Sequence, residues 1–215
     1  MTITDSHTHH AARGAIVNVS PAAFSPVPGM CYSVGIHPWE AGEVTVEHWQ
    51  QLATAARSPQ VVALGETGLD ALRGPSPDVQ QEVLARHVAM SEELSKPLIL
   101  HCVKAFHVIL AMRARLRPAQ PWVVHGFRGK PQLARQLLNA GLYITLGPRF
   151  NAATACSLPG SRLLLETDDS GLTIATVAAR VAEARGEDVA ATLAAARATA
   201  AAIFAPANAV GPPNV

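Results

Sequence analysis

Eight short apolar runs recur along this 215-residue chain, at residues 2–5, 15–19, 31–35, 61–65, 98–102, 122–126, 142–146 and 163–167. They are rich in Val, Ile and Leu and mostly bounded by Gly, Pro or polar residues, the pattern of parallel strands buried on both faces. Segments with helical spacing lie between most of them, at 46–57, 77–95, 104–117 and 130–140, with a C-terminal helical region at 174–204. Strand alternating with helix predicts βαβ units. The connections at 6–14 and 20–30 are hard to fit with a crossover helix. The chain is also shorter than the roughly 250 residues usual for an eight-stranded barrel. The expected fold is therefore α/β, a compact (β/α)8 TIM-type barrel with helices missing after the first two strands. An open doubly wound sheet is the competing arrangement.

One globular domain is expected over residues 1–205, with a frayed tail at 206–215. The hydrophobic fraction is 49%, the charged fraction 15%, and no low-complexity linker or repeat divides the chain. No apolar stretch reaches the ~18 residues that would span a bilayer. The N-terminus lacks the basic and apolar regions of a secretory signal, so a cytoplasmic protein with no membrane partner is expected. Cys31, Cys102 and Cys156 are odd in number and form no CxxC pair, against a disulfide framework. Cys102 reads as a buried strand thiol.

A formal net charge of +1 excludes a broad field drawing the protein onto duplex nucleic acid. Contact with a phosphate must then be local. Lys104, Arg128, Lys130 and Arg149 all follow strand ends, on the rim where a phosphate would need them, although each alone also reads as a solvated loop cation.

The strand ends carry the chemistry. Asp5-Ser6-His7-Thr8-His9 closes the first run, and residues two apart on an extended segment face the same way, so both imidazoles can reach one cation. Gly65-Glu66-Thr67-Gly68-Leu69-Asp70 delivers a carboxylate between glycines, with Asp70 read as a turn residue or as support behind the ligands. The runs ending in His101, His125 and Asp168 add two imidazoles and a carboxylate. One histidine ending a strand is more often structural. Independent core histidines, however, have no reason to share one rim, and the strand ends of a barrel converge. His37 lies on the same rim, either touching substrate or donating from behind the ligands. His48, His87 and His107 fall within helices with no ligand beside them, and they read as surface or packing residues.

In order along nearly the whole chain, these stretches resemble the TatD-like metal-dependent hydrolases of the amidohydrolase-type barrels. The matching segments are Asp5-Ser6-His7-Thr8-His9, Gly35-Ile36-His37-Pro38, Gly65-Glu66-Thr67-Gly68-Leu69-Asp70, Lys96-Pro97-Leu98-Ile99-Leu100-His101-Cys102, His125-Gly126-Phe127-Arg128-Gly129, Gly141-Leu142-Tyr143-Ile144 and Leu165-Glu166-Thr167-Asp168. The resemblance implies two divalent cations, Zn, Mn, Mg or Ni. His7, His9, Glu66 and Asp168 would hold the first, and Glu66, His101 and His125 the second, with Glu66 as the bridge. It also implies phosphodiester hydrolysis at nucleic-acid ends.

Residue chemistry is consistent with this: cations ~3.5–4 Å apart activate a shared water and stabilise charge on phosphate or carbonyl oxygen. Asp168 is placed as general base, and His37, Lys104 and Arg128 as substrate contacts. Where the family carries an arginine and an acidic residue after the His101 position, this chain has Cys102-Val103-Lys104-Ala105. Its loop after the eighth strand reads Asp169-Ser170-Gly171-Leu172. A centre directed at a small amide, lactone or phosphate ester is the second reading, and a non-enzymatic metal-binding module the third. A monomer or small homo-oligomer is expected.

Overall fold

The computed structural model describes residues 2–204, and the predicted tail at 206–215 lies outside them. Eight strands form: β1 (Asp5–Thr8), β2 (Ala15–Val19), β3 (Cys31–Val34), β4 (Val61–Asp70), β5 (Leu98–Val103), β6 (Trp122–Val124), β7 (Tyr143–Leu146) and β8 (Leu163–Leu165). They make one sheet in sequential order, every neighbouring pair parallel. The last strand returns to the first through a parallel bridge between Thr8 and Asp168. Asp168 N donates to His7 O at 3.0 Å and His9 N to Asp168 O at 3.1 Å. This closure makes a barrel, and the open doubly wound alternative is excluded.

Seven α-helices follow: α1 (Val46–Ala56), α2 (Pro77–Leu94), α3 (Phe106–Leu116), α4 (Pro131–Asn139), α5 (Ala152–Ser157), α6 (Ile174–Arg185) and α7 (Val189–Phe204). Among the described residues no α-helix links β1 to β2, and only a 3-10 turn, Pro21–Ala23, lies between β2 and β3. No described helix is long and apolar enough to cross a membrane.

Four differences from the sequence reading bear on the architecture. The first strand begins at Asp5, at the end of the predicted run, and Ile3 before it packs among the residues that fill the barrel floor. The fourth continues five residues past Gly65. It can do so because Gly65 and Gly68 have φ of +135° and +138°. A Cβ at Gly65 would strike the Ile99 carbonyl, and one at Gly68 the His101 carbonyl, so only glycine lets β4 lie this close to β5. Six-residue α5, capped by Asn151, is too short to show helical periodicity. The C-terminal helical region divides at Gly186, which ends α6 in the left-handed conformation.

Strand alternation layers the interior. Ile16, Ala63, Ile99, Val123 and Leu164 form one apolar cluster with Ala200, Ile203 and Phe204 of α7, which plug the barrel floor. One step further along the same strands stand Asn18, His101, His125 and Glu166, two residues on from Ile16, Ile99, Val123 and Leu164. On β4 the step is three residues, Ala63 to Glu66. The β4–β5 register shifts between Leu64 and Thr67 and inserts one extra residue there. Side chains on the outer face, among them Val17, Val34, Leu64, Leu100, Val124 and Leu165, pack with the helices in a second cluster.

Candidate metal centre

Because β1, β4, β5, β6 and β8 all run the same way, their upper inward residues meet at one mouth, and Glu66 is at the centre of the meeting. Its two carboxylate oxygens face different partners. Oε2 lies 3.7 Å from His7 Nε2 and 3.6 Å from His9 Nε2. Asp168 Oδ1 is 3.7 Å from each of those same two nitrogens. Ligands held about 2.1 Å from a tetrahedral cation stand roughly 3.4 Å apart. These four nitrogen–oxygen distances are thus close to those between ligands of one cation and beyond ordinary hydrogen-bond length.

On the other side Oε1 is 2.6 Å from His125 Nε2, 2.9 Å from His101 Nδ1 and 3.4 Å from His37 Nε2. His101 and His125 meet directly, Nδ1 to Nε2, at 3.4 Å. The first two contacts are hydrogen bonds, so this half is drawn together around the carboxylate. Three groups of donors lie within 4.8 Å of one another and could hold an ion: His7, His9 and Glu66; His7, His125 and Asp168; and His37, Glu66 and His101.

A divalent cation fits this arrangement on independent grounds. Both ring nitrogens of His7, and Nδ1 of His125, are buried with no hydrogen-bond partner. Leaving such groups unpaired is costly, and a cation would satisfy His7 Nε2, which faces both Glu66 Oε2 and Asp168 Oδ1. Burial, reinforced by the neighbouring His125, holds His7 well below the usual imidazole range, so it is neutral and able to ligate. Burial pushes the Glu66 carboxyl upward, but the charge of His125 and hydrogen bonds from His101, His125 and His37 outweigh it. The result is a carboxylate well below its usual range. All donors are nitrogen or oxygen. Burial pushes the Cys102 thiol up to about 12, and it joins no donor group.

Supporting residues stand behind the donors, and of these the sequence reading offered only Asp70, as a support or a turn residue. Asn18 Oδ1 accepts from Glu66 N at 2.8 Å and from Ser33 Oγ at 3.1 Å, pinning the inserted residue of β4. Asp70 Oδ2 stands 3.3 Å from His101 Nε2 and accepts from Trp39 Nε1 at 2.7 Å, the support behind a histidine that orients its ring. Buried Gln80 clamps the same turn, accepting from Asp70 N and donating to the carbonyls of Asp70, Arg73 and Pro75. Glu166, fully buried, accepts from Gly126 N at 2.6 Å and from Thr145 Oγ1, fixing the backbone beside His125. Burial raises it to about 7. The signal for these was alternation: Asn18 and Glu166 lie at inward positions of their strands.

A cleft of about 540 Å³ opens over the centre, lined among others by His9, His37, Trp39, Arg128, Arg149 and Asp168. Arg128 and Arg149 therefore reach it, whereas exposed Lys104 is not among its lining residues. The three histidines read as surface or packing residues stay outside. His48 forms a capping box with Thr45, His107 is exposed on α3, and His87 is buried behind the His37 turn, where Ile36 N donates to its Nε2 at 3.1 Å.

A closed parallel barrel whose mouth gathers histidines and carboxylates from β1, β4, β5, β6 and the loop after β8 belongs to the class that holds divalent cations at the C-terminal rim. The comparisons specify it further. The chain belongs to the family described as TatD related DNase, which it matches over residues 17–207. It is 37% identical over 153 residues to a protein of Erwinia billingiae named 3'-5' ssDNA/RNA exonuclease TatD, covering 66% of this chain and 58% of that one. A protein of the same name from Enterobacter lignolyticus is 32% identical over 186 residues, covering 74% and 72%. The crystal structure of YJJV, a TatD homolog from Escherichia coli K12, superposes with a TM-score of 0.77 at 26% identity, covering 88% of this chain and 85% of that one. His7 and His9 precede the family match, so their place in the centre rests on the fold itself.

Proposed function

We propose that this protein is a metal-dependent hydrolase that cleaves phosphodiester bonds at nucleic-acid ends, with two divalent cations at the barrel mouth. The observation that supports it is the division of Glu66, one oxygen facing His7, His9 and Asp168 and the other His101 and His125. His7, His9, Glu66 and Asp168 would hold one cation, and Glu66, His101 and His125 the other. Mixed imidazole and carboxylate donors suit zinc, manganese or nickel, and leave magnesium possible through the carboxylates. When bound, such cations lower the pKa of the attacking water and offset charge building on the phosphate oxygens.

The chain's own residues do the rest. Asp168, partly exposed at the rim, takes the proton from the attacking water. Arg128 and Arg149 bind the non-reacting phosphate oxygens, and the guanidinium fork suits that task. His37, on the opposite side of Glu66 from His9, orients the carboxylate and borders the substrate.

The relatives named 3'-5' ssDNA/RNA exonuclease make a free 3' end the first substrate to try. Metal-loaded protein should release nucleotides from 5'-labelled single-stranded DNA or RNA, and Asp168→Asn should not. No shortening above that blank would end the nuclease reading. A small neutral amide or lactone substrate would instead show turnover insensitive to salt, whereas turnover of a polyanion weakens steeply as salt rises.

A further inference from the structure

Trp39 is a large apolar side chain left uncovered in the lining of the cleft. It is 45% exposed, although Trp122 is fully buried and Trp49 is packed against His87 beneath Arg86. Nothing about its position is loose. Its indole N–H donates to Asp70 Oδ2 at 2.7 Å, its backbone N–H to His37 Nδ1 at 3.2 Å, and Pro38 fixes the turn before it. Its ring lies 4.6 Å from that of His37 and 5.9 Å from that of His101, so it adjoins the metal donors. The Arg73 guanidinium already sits 4.7 Å over the ring, and the exposed area is what remains.

Strand order sets what faces it. Trp39 follows β3 and Arg149 follows β7, four strands apart in an eight-stranded barrel and hence across the mouth from each other. One wall of the cleft is therefore aromatic, and across from it stand Arg128 and Arg149, the latter 3.7 Å from Asp169 Oδ1, with the metal donors on the floor between them.

We infer that Trp39 is a stacking platform for the base of the terminal nucleotide, whose phosphate reaches the metal donors and the Arg128–Arg149 wall. The inference rests on the phosphodiesterase reading and names the form of substrate: an unpaired end. Every base has a π-face, so such a platform is tolerant of sequence. A base held in a duplex cannot leave its own stack without cost, so blunt ends should react more slowly.

The test compares two single-stranded oligonucleotides that differ only in whether the terminal nucleotide carries its base or is abasic. Wild-type protein should favour the based substrate in kcat/KM by roughly 5- to 150-fold. Trp39→Ala should bring that ratio to about one, and Trp39→Phe should restore most of it. A purely structural Trp39 would lower both substrates alike and leave the ratio standing, which overturns the inference. So does a wild-type ratio of one. Cleavage of neither substrate removes the phosphodiesterase reading first and the platform with it. A second readout needs no turnover: in EDTA, the oligonucleotide should quench tryptophan fluorescence of the wild type, and Trp39→Phe should abolish the quench. Equal quenching in both proteins would count against the platform.

Discussion

The floor and the mouth of this barrel are built from the same strands, one inward step apart, and they obey opposite rules. On the floor Ile16, Ile99, Val123 and Leu164 close on the end of α7, every one at most 1% exposed. At the mouth Asn18, His101, His125 and Glu166 follow them, and polar atoms such as Nε2 of His7 and Nδ1 of His125 are buried without a partner. A stable fold tolerates such groups only when the remainder of the core is strong enough to hold them in place. The division teaches that apolar packing and polar chemistry occupy successive layers along each strand, which predicts that either can be altered with little change in the other.

The most direct way to break the comparison is at the mouth. Glu66→Ala should remove metal from both donor groups, read by elemental analysis, and abolish turnover. Asp168→Asn should lower turnover on the order of 10²–10⁴-fold. If the mouth is separate from the floor, its urea-unfolding free energy, measured after metal is stripped, stays within about 0.5 kcal/mol of wild type. A large fall in stability would mean that the mouth also carries the fold.

The converse variant is Leu164→Ala, in the floor. It should cost about 2–5 kcal/mol of stability in urea melts. Metal bound per folded molecule should not change, and its loss would show that the two layers are coupled.

His87 offers a sharper probe because it lies outside both layers yet touches the loop that carries His37. Ile36 N–H donates to its Nε2 and its Nδ1 faces the Val83 carbonyl at 2.8 Å, so the ring is neutral with the proton on Nδ1. Burial lowers it to about 4 from the ordinary 6.5. As pH falls the unfolded chain takes up this proton first. Stability from this group is thus complete above about pH 6.5 and is lost between there and about pH 4, by roughly 3 kcal/mol at most. His87→Gln, which keeps both hydrogen-bond roles, should flatten that part of the stability–pH curve; an unchanged slope would contradict the assignment. The smallest effect is expected at exposed His107, where His107→Ala should alter neither metal content, turnover nor unfolding midpoint beyond error.

Much of the architecture was legible because it is written in local periodicity. The β2 run at 15–19 matches the observed strand, and the predicted 46–57 and 77–95 helices each end one residue past the observed α1 and α2. Donor types at strand ends were legible for the same reason, since parallel strands in one barrel must bring like ends together. Legibility failed wherever a residue's role depended on a distant partner. Asp70 looked like a turn residue or a support, and only Trp39 and His101 beside it decide between those. Lys104 and Arg149 both follow strand ends, but the left-handed turn at Lys104 leaves it off the cleft lining while Arg149 reaches it.

From the chain alone came the count of strands, the bare flank after β1 and β2, and the set of imidazoles and carboxylates, all of which follow from composition and spacing within a few residues. Tertiary structure alone decided that β4 takes an extra residue opposite β5, which turns Glu66 inward and lets its two oxygens serve two groups. It also decided that Trp39 stands exposed across the mouth from Arg149. Both depend on which backbones lie side by side, and a linear pattern carries no record of that.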